Sequence, residues 1–429
     1  MERYSEYKDS GVKWLGEIPS RWELLKSKYL WKETFENSTS GKEDLLSVSQ
    51  YTGVTKSKAD SRSESLIGYK IVHKDDLVIN IMLAWLGGLG VSNDEGVVSP
   101  AYCTYKLIRD YNPKFLHYLY KTPMYLAEFA RHSTGVVPSR WRMYTDDFGQ
   151  VVSLLPPVGE QDAIVRYLDA ATSKIDKAIA MQQKMIDLLN ERKQIIIQNA
   201  VTKGLDENVE MKDSNCKFLG KIPSTWEVCK TLYVLSMPIT DGPHTTPQLY
   251  DDGIPFVSAE AVSCGNGYID FSHIRGYISD SFYNECCKKY IPQRDDIYMI
   301  KSGATTGKVA IVNTDVKFTI WSPLAVFRVN KKKVLPYFLY YSLQSSYYQL
   351  QVQDKWSFGT QQNIGMRMLE KLILCYPSIE EQAKIVAFIK KNVDNFDSAI
   401  SNSQRQIALL QERKQIIINE VITGKVKVS

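Results

Sequence analysis

The sequence predicts an α/β (α+β) chain built as an internal repeat. Two globular regions are each followed by a long helix, and the two helices pair as an antiparallel coiled coil about a pseudo-two-fold axis. Three observations carry this expectation: a non-trivial motif near the start returns in mid-chain, two helical runs share a common sequence, and the stretches between them diverge. The expected boundaries are 1–155 for the first globular region, 156–205 for its helical region, 206–376 for the second globular region and 377–429 for the C-terminal helical region.

WLGEIPSRWE at 14–23 recurs as FLGKIPSTWE at 218–227, identical at seven of ten positions and offset by 204. Residues 156–202 recur at 377–423, offset by 221, with twenty of 47 positions identical, including ERKQIII at 191–197 and again at 412–418. The larger second offset places about 17 extra residues in the second copy, mostly between Met237 and Phe271. The ends of the copies match and their middles do not. Faint echoes survive in Asp75-Asp76-Leu77 against Asp295-Asp296-Ile297, and in Ser99-Pro100 against Ser322-Pro323.

Between Glu160 and Lys203, and again between Ser378 and Thr423, there is neither Gly nor Pro, and Gly204 and Gly424 end the runs. Pro156-Pro157 and Pro377 precede them, the punctuation of long helices. The 43 residues from Glu160 to Thr202 would reach about 65 Å if unbroken, and a kink near Ala170 or Lys391 is compatible with the pattern. A stripe of spacing three and four runs along each helix: Leu168, Thr172, Ile175, Ile179, Gln182, Ile186, Leu189, Lys193, Ile196 and Ala200, then Ile389, Val393, Phe396, Ile400, Ser403, Ile407, Leu410, Lys414, Ile417 and Val421. A sustained seven-residue repeat of this kind is a coiled-coil seam. Ile195 and Ile197, like Ile416 and Ile418, lie off it. Either a globular region of the same chain or another subunit must therefore cover the triple isoleucine, with another subunit slightly preferred.

In the globular regions, IYMIKS at 297–302 and KVAIV at 308–312 read as strands. FLHYLY at 115–120 and YFLYYSL at 337–343 read as short helices opened by Pro113 and Pro336. The loops are rich in Ser, Thr, Lys, Arg and Gln, as in GVTKSKADSRSES at 53–65 and TDGPHTTPQ at 240–248. Such loops suit phosphates and base edges, and solvated surface loops share the same composition.

Composition is permissive. A net charge of +5 suits an anionic partner without requiring one, and 26 tyrosines suit either recognition or β-sheet packing. Seven cysteines without a CxxC pair form neither a disulfide framework nor a zinc knuckle, which points to a reducing, cytoplasmic compartment. MERYSEYKDSGVKW lacks an apolar signal region, and no apolar run approaches a membrane span.

Catalytic motifs fail on inspection. Gly303-Ala-Thr-Thr-Gly307-Lys308 has three residues between its glycines where a phosphate loop needs four, and Val309 follows the lysine, so a tight turn between strands is expected. Glu191-Arg-Lys193 and Glu412-Arg-Lys414 match the ExK fragment of nucleases, but on a helix side chains two apart diverge. Lys193 falls in the seam, its stem packed and its charge reaching out. No methyltransferase (N/D)PP(Y/F) motif, glycine-rich cofactor loop, HExxH or Ser/His/Asp grouping is present, so no catalytic residue, cofactor site or metal site is expected.

The chain resembles the DNA-specificity subunits of type I restriction–modification systems. The likeness is carried by Glu160-Gln161 with Ile164-Val165, by Glu381-Gln382 with Ile385-Val386, and by ERKQIII with the following Val201-Thr202 and Ile422-Thr423. LGEIPSRWE carries it too, as does the stretch from Asp75 through Asn80, Met82, Ala84, Trp85 and Gly87 to Tyr102. In the second half it is carried by DGPHTTP, SGATTGKVAI and FGTQQNIG. The resemblance implies two target-recognition domains, each reading one half of a bipartite, asymmetric duplex site, with the helices setting the unread gap. It implies two modification subunits that methylate adenine with S-adenosylmethionine, and restriction subunits that form an ATP-dependent nuclease with magnesium. None of these cofactors is expected in this chain. Expected DNA contacts are Lys56, Lys58, Arg62, Asn80, Trp85, Arg140 and Arg142 in the first domain, although Trp85 also fits a core position. In the second they are His244, Thr245, Thr246, Lys301, Thr305, Thr306, Lys308, Gln361 and Gln362. Competing readings are an orphan methyltransferase specificity subunit, a coiled-coil adaptor without DNA preference, an enzyme with an unrecognised site, and an RNA binder, for which no exposed aromatic stacking sheet is evident.

Overall fold

The computed structural model describes every residue except 1, 51, 58–64, 138–139, 359–361 and 429. The chain divides into two compact units, Met1–Gln183 with Gln404–Ser429, and Lys184–Ser403. Each unit holds one globular region and a segment of both long helices.

In the first unit the repeated motif supplies the second strand of a hairpin, Tyr7–Asp9 with Glu17–Pro19, and leads into Glu23–Lys26, which pairs with Val152–Leu155. The central sheet is antiparallel, in the order Trp31–Thr34, Tyr102–Leu107, Leu77–Asn80, Leu89–Val91. The second unit repeats this plan with Met211–Asp213 and Lys221–Pro223, with Glu227–Lys230 against Ile373–Tyr376, and with a sheet of Thr240–Asp241, Leu324–Phe327, Ile297–Ile300 and Val309–Ile311. The strands expected near 297–302 and 308–312 are present, and the turn between them is the Gly303–Lys308 segment. Short helices run over Pro113–Tyr120 and Pro336–Gln344. The first of them is capped by Asn112, whose side chain accepts from the Lys114 and Phe115 N–H groups. The extra residues of the second copy include the Ile254–Val257 strand and the Ala259–Cys264 helix; this strand pairs with Tyr277–Ile278 and, in parallel, with Thr319–Ile320.

The motifs shared by the copies are the joints between helix and globular region. Trp22 is fully buried and its indole N–H donates to Glu160 Oε1 at 3.2 Å, while Trp226 donates to Glu381 Oε1 at 3.1 Å. The neighbouring glutamine closes the joint. Gln161 accepts from Asn112 N–H and donates to Pro156 O; Gln382 accepts from Leu335 N–H and donates to Pro377 O. Both glutamines are buried, so losing either leaves unpaired backbone groups. Ile164 and Ile385, one helical turn on, are fully buried in their units' cores. Gly204 and Gly424 stop the helices at φ +75° and +73°, and a Cβ on Gly424 would meet the rings of Pro19 and Trp22 at 2.6–3.0 Å.

The helices span Val158–Lys203 and Ile379–Ile422 without a break at Ala170 or Lys391. In the first unit Asp176 pairs with Lys414 at 2.7 Å and Gln182 with Gln406 at 2.9 Å, so rising numbers on one helix meet falling numbers on the other. In the second unit Lys193 pairs with Asp397 at 2.6 Å, and Gly204 approaches Glu381. Each unit's pairing is therefore antiparallel. Lys193–Asp397 and Lys414–Asp176 are counterparts under the 221-residue offset. The seam lysines bury their stems and end in an ion pair with the facing helix, an outcome more specific than a charge reaching solvent. The two expected covers for the triple isoleucine divide between its residues. Ile197 and Ile418 are buried in their own unit's core, whereas Ile195 and Ile416 stay 50% and 48% exposed. Among the described residues no helix is long and apolar enough to cross a membrane.

Candidate nucleic-acid interface

The faint Asp-Asp echo marks how each central sheet is entered. Asp75 and Asp295 adopt positive φ, 71° and 75°, a conformation that aspartate tolerates better than most residues. Their N–H groups bond to Ser92 O and Val312 O, and the buried carboxylates of Asp76 and Asp296 accept from His73 and Gln293 N–H, each at 2.8 Å. Burial pushes the Asp76 carboxyl above the usual carboxylate range. Asp296 is also held by a two-pronged contact with Arg328. These turns aim the strands Leu77–Asn80 and Ile297–Ile300 at the same edge of each sheet.

At that edge the two units share a backbone frame. The strand's outgoing turn covers 81–88 in the first unit and 301–308 in the second. A second segment docks against it through one matched bond: Met143 N–H to Ile81 O at 3.0 Å, and Ile364 N–H to Lys301 O at 2.9 Å. The second segment is itself folded back, by a Thr134–Arg142 bridge in one unit and by pairing of Ser357–Phe358 with Gln362–Asn363 in the other.

The first unit dresses this frame with Trp85, Arg140 and Arg142. Trp85 is half-buried, donates its indole N–H to Met82 O at 3.2 Å and packs edge-on against Trp141 at 5.3 Å. Arg140 is exposed and Arg142 half-exposed, with one guanidinium N–H of Arg142 donating to Arg140 O. Asn80 is buried; its side-chain oxygen accepts from Met82 N–H at 3.1 Å, so it shapes the turn that carries Trp85. Lys56 is set apart at the open end of the Leu46–Ser49/Gly53–Lys56 hairpin, paired with Asp44 at 2.6 Å, and this contact raises its pKa. Lys58 and Arg62 lie outside the described residues.

The second unit dresses the same frame with small polar groups. Thr306 donates to Gly303 O at 2.7 Å beside Gln362 O, Thr305 is half-buried next to it, and exposed Lys308 reaches Ser263 O at 3.4 Å. Gln362 stands half-buried in the docked hairpin; Gln361 lies outside the described residues. A third segment joins here. Asp241 ends an edge strand at 1% exposure, and three basic side chains converge on it: Lys289, Lys301 at 3.4 Å and His244 at 3.2 Å. Its Oδ2 is buried without an aligned donor, so the pull of Lys301 on that atom is Coulombic. This carboxylate anchors the exposed stretch His244, Thr245 and Thr246 to Lys301.

Sequence reasoning passed over Trp141, Lys289 and Asp241. The first had a signal, an aromatic residue between two arginines in Arg140-Trp141-Arg142. Asp241 sat inside a quoted motif but carried no mark of burial, and Lys289 had none at all.

Comparison with known proteins agrees with this architecture. The family profile described as type I restriction modification DNA specificity domain matches residues 245–411. The chain is 24% identical to the type I restriction enzyme MjaX specificity subunit of Methanocaldococcus jannaschii, over 96% of each protein. It is 22% identical to the type I restriction enzyme EcoBI specificity subunit of Escherichia coli, over 82% of this chain and 74% of that one. A chain from the solved structure described as "Structural basis underlying complex assembly and conformational transition of the type I R-M system" shares the fold, with a TM-score of 0.68 at 16% identity, covering 95% of this chain and 99% of that one. With its duplicated joints and its paired helices, the chain is similar to type I restriction–modification specificity subunits in sequence, and it shares the fold of the solved type I R-M chain.

Proposed function

We propose that the chain reads a bipartite, asymmetric site in duplex DNA, one half per unit, and carries no catalytic group of its own. The observation that supports this best is the matched frame at the sheet edge, with Trp85, Arg140 and Arg142 on one copy and Lys301, Thr305, Thr306 and Gln362 on the other. Identical frames with different side chains are what two different half-sites require. Arginine reads guanine bidentately and glutamine reads adenine, each good pair discriminating by about 1–3 kcal/mol. Phosphate contacts from residues such as Lys308 and Arg140 supply affinity without sequence information. The long helices fix the number of unread bases between the halves.

In this reading the chain works in the cytoplasm as the DNA-reading scaffold for two modification subunits and for restriction subunits. S-adenosylmethionine, ATP and magnesium are bound by those partners. The test is methylome sequencing of a methylation-free host that expresses the chain with its modification subunit. The expected result is one new methyladenine motif made of two specified halves and a fixed gap. A stably assembled complex that adds no motif would contradict the reading and favour an adaptor without DNA preference.

A further inference from the structure

The turn of the first unit that carries Trp85 is apolar at its tip. Met82, Leu83 and Leu86 are 37%, 42% and 40% exposed, and Val136 and Val137 on the docked segment are exposed beside Arg140 and Arg142. Scattered exposed aliphatics are ordinary, but large ones gathered on two touching segments mark a contact surface. The tip is also tied down by hydrogen bonds of its own backbone. Asn80 O accepts from Leu83 N–H at 3.0 Å, Leu83 O accepts from Leu86 and Gly88 N–H at 3.0 and 2.8 Å, and Met82 is held by the Asn80 and Trp85 side chains. Beneath it the Lys121 ammonium, drawn down to about 8 by burial, donates to Gly87 O at 2.6 Å. A projection ordered in advance loses little entropy when it inserts.

The corresponding turn of the second unit, Ser302–Gly307, has no side chain larger than threonine. This asymmetry argues against a protein partner. A subunit that docks on both repeats meets matching surfaces, as it would at Leu188 and Ile195 and at their exposed counterparts Leu409 and Ile416. The tip has no such counterpart, and exposed Arg140 and half-exposed Arg142 border it.

Building on the proposed reading of DNA, we infer that Met82, Leu83 and Leu86 form an apolar wedge. It enters a base step of the half-site read by the first unit and partly unstacks it. Aliphatic wedges between flanking cations kink duplexes in this way, most easily at pyrimidine–purine steps. The first half-site is then selected partly by deformability, and the second by polar contacts alone.

The test uses the full chain assembled with its modification subunits, on duplexes that carry the whole site. Each base pair of both halves is labelled in turn, with 2-aminopurine in place of adenine or pyrrolocytosine in place of cytosine, omitting the adenines that become methylated. The expected result is a fluorescence rise of about threefold or more at one step of the first half and none in the second. In the double variant Met82→Ser/Leu83→Ser the rise disappears and affinity falls about tenfold or more, while assembly and second-half discrimination persist. Leu86→Gln, a single exposed change, gives the same loss in smaller degree and guards against misfolding. Specific binding without a rise at any position overturns the wedge and leaves the DNA reading intact. A rise that survives both variants overturns it too, as does a loss of assembly with the modification subunits, which would make the tip a protein contact. Absence of specific binding by the unaltered complex overturns the DNA reading and the wedge with it.

Discussion

The two sheet edges present one backbone frame with opposite chemistry. In the first unit the turn after Leu77–Asn80 is bulky and apolar, buttressed by Trp85 against Trp141 and flanked by arginines. In the second, the turn after Ile297–Ile300 is small and hydroxyl-rich, and a buried aspartate gathers basic side chains beside it. The contrast extends to the neighbouring edge strand. Thr34 stands opposite Thr104 as Thr240 stands opposite Val326, and the next residues are a largely exposed Phe35 and a buried Asp241. The bonds that are alike, Met143 to Ile81 and Ile364 to Lys301, are backbone bonds, which tolerate side-chain change. The duplication therefore kept what places the reading groups and let the groups themselves diverge.

The strongest way to break this comparison is at Asp241, which has no equivalent in the first unit. Asp241→Ala leaves Lys301 and Lys289 facing a buried site without its counter-charge. Removing one partner from a fully buried pair costs about 3 kcal/mol or more, and the half-exposed Lys289 holds the loss here to about 3 kcal/mol. Denaturant unfolding followed by hydrogen exchange should locate that loss in the second unit and leave the first unchanged.

Acid should act the other way. His117 accepts from Val91 N–H at 3.1 Å, and burial, with Lys121 and Lys114 nearby, pulls its pKa to about 4. The unfolded ring takes up its proton near the ordinary 6.5 and the folded ring only near 4. Its contribution is therefore complete above pH 6.5 and is lost as pH falls toward 4, by up to about 3 kcal/mol. Tyr340 occupies the matching turn of Pro336–Gln344 in the second unit. A His117→Gln variant should flatten the pH 4–6.5 stability profile of the first unit, and an unchanged profile would mean that His117 titrates normally.

Arg140→Ala with Arg142→Ala should weaken recognition of the first half-site by about 1–3 kcal/mol and lower the salt dependence of binding by about one unit of slope for each phosphate no longer neutralised. Thr305→Ala with Thr306→Ala should relax base preference in the second half and leave the slope unchanged. The smallest effect belongs to the seam. Lys193→Met should cost more than Lys414→Met because the Lys193–Asp397 pair is the more buried, with both costs near 1 kcal/mol or below by thermal unfolding.

Much of this architecture was legible because repetition amplifies weak signals. Trp22 and Glu160 are only residues in a string until Trp226 and Glu381 repeat them at offsets of 204 and 221, and the seam lysines meet their aspartates at positions the 221-residue offset relates. The helix ends were legible because Gly204 and Gly424 are the residues that tolerate left-handed backbone. The candidate site was less so. Composition singles out Asn80 as a polar loop residue, yet it turns inward to cap its own turn. Lys56 satisfies the same description but is drawn to Asp44, away from the edge. Asp241 and Lys289 are far apart in sequence and meet only through tertiary packing, which no local pattern encodes. The exposure of Leu83 likewise follows from the turn's hydrogen bonds; by composition it reads as core.

The central claim is that each unit reads its own half-site on a shared frame. The most direct test is the methylome of a host carrying the chain with Thr305→Ala, Thr306→Ala and Gln362→Ala beside its modification subunit. The account predicts that one half of the motif relaxes while the other half and the gap stay unchanged. Equal loss of both halves, or a changed gap with both halves intact, would contradict it.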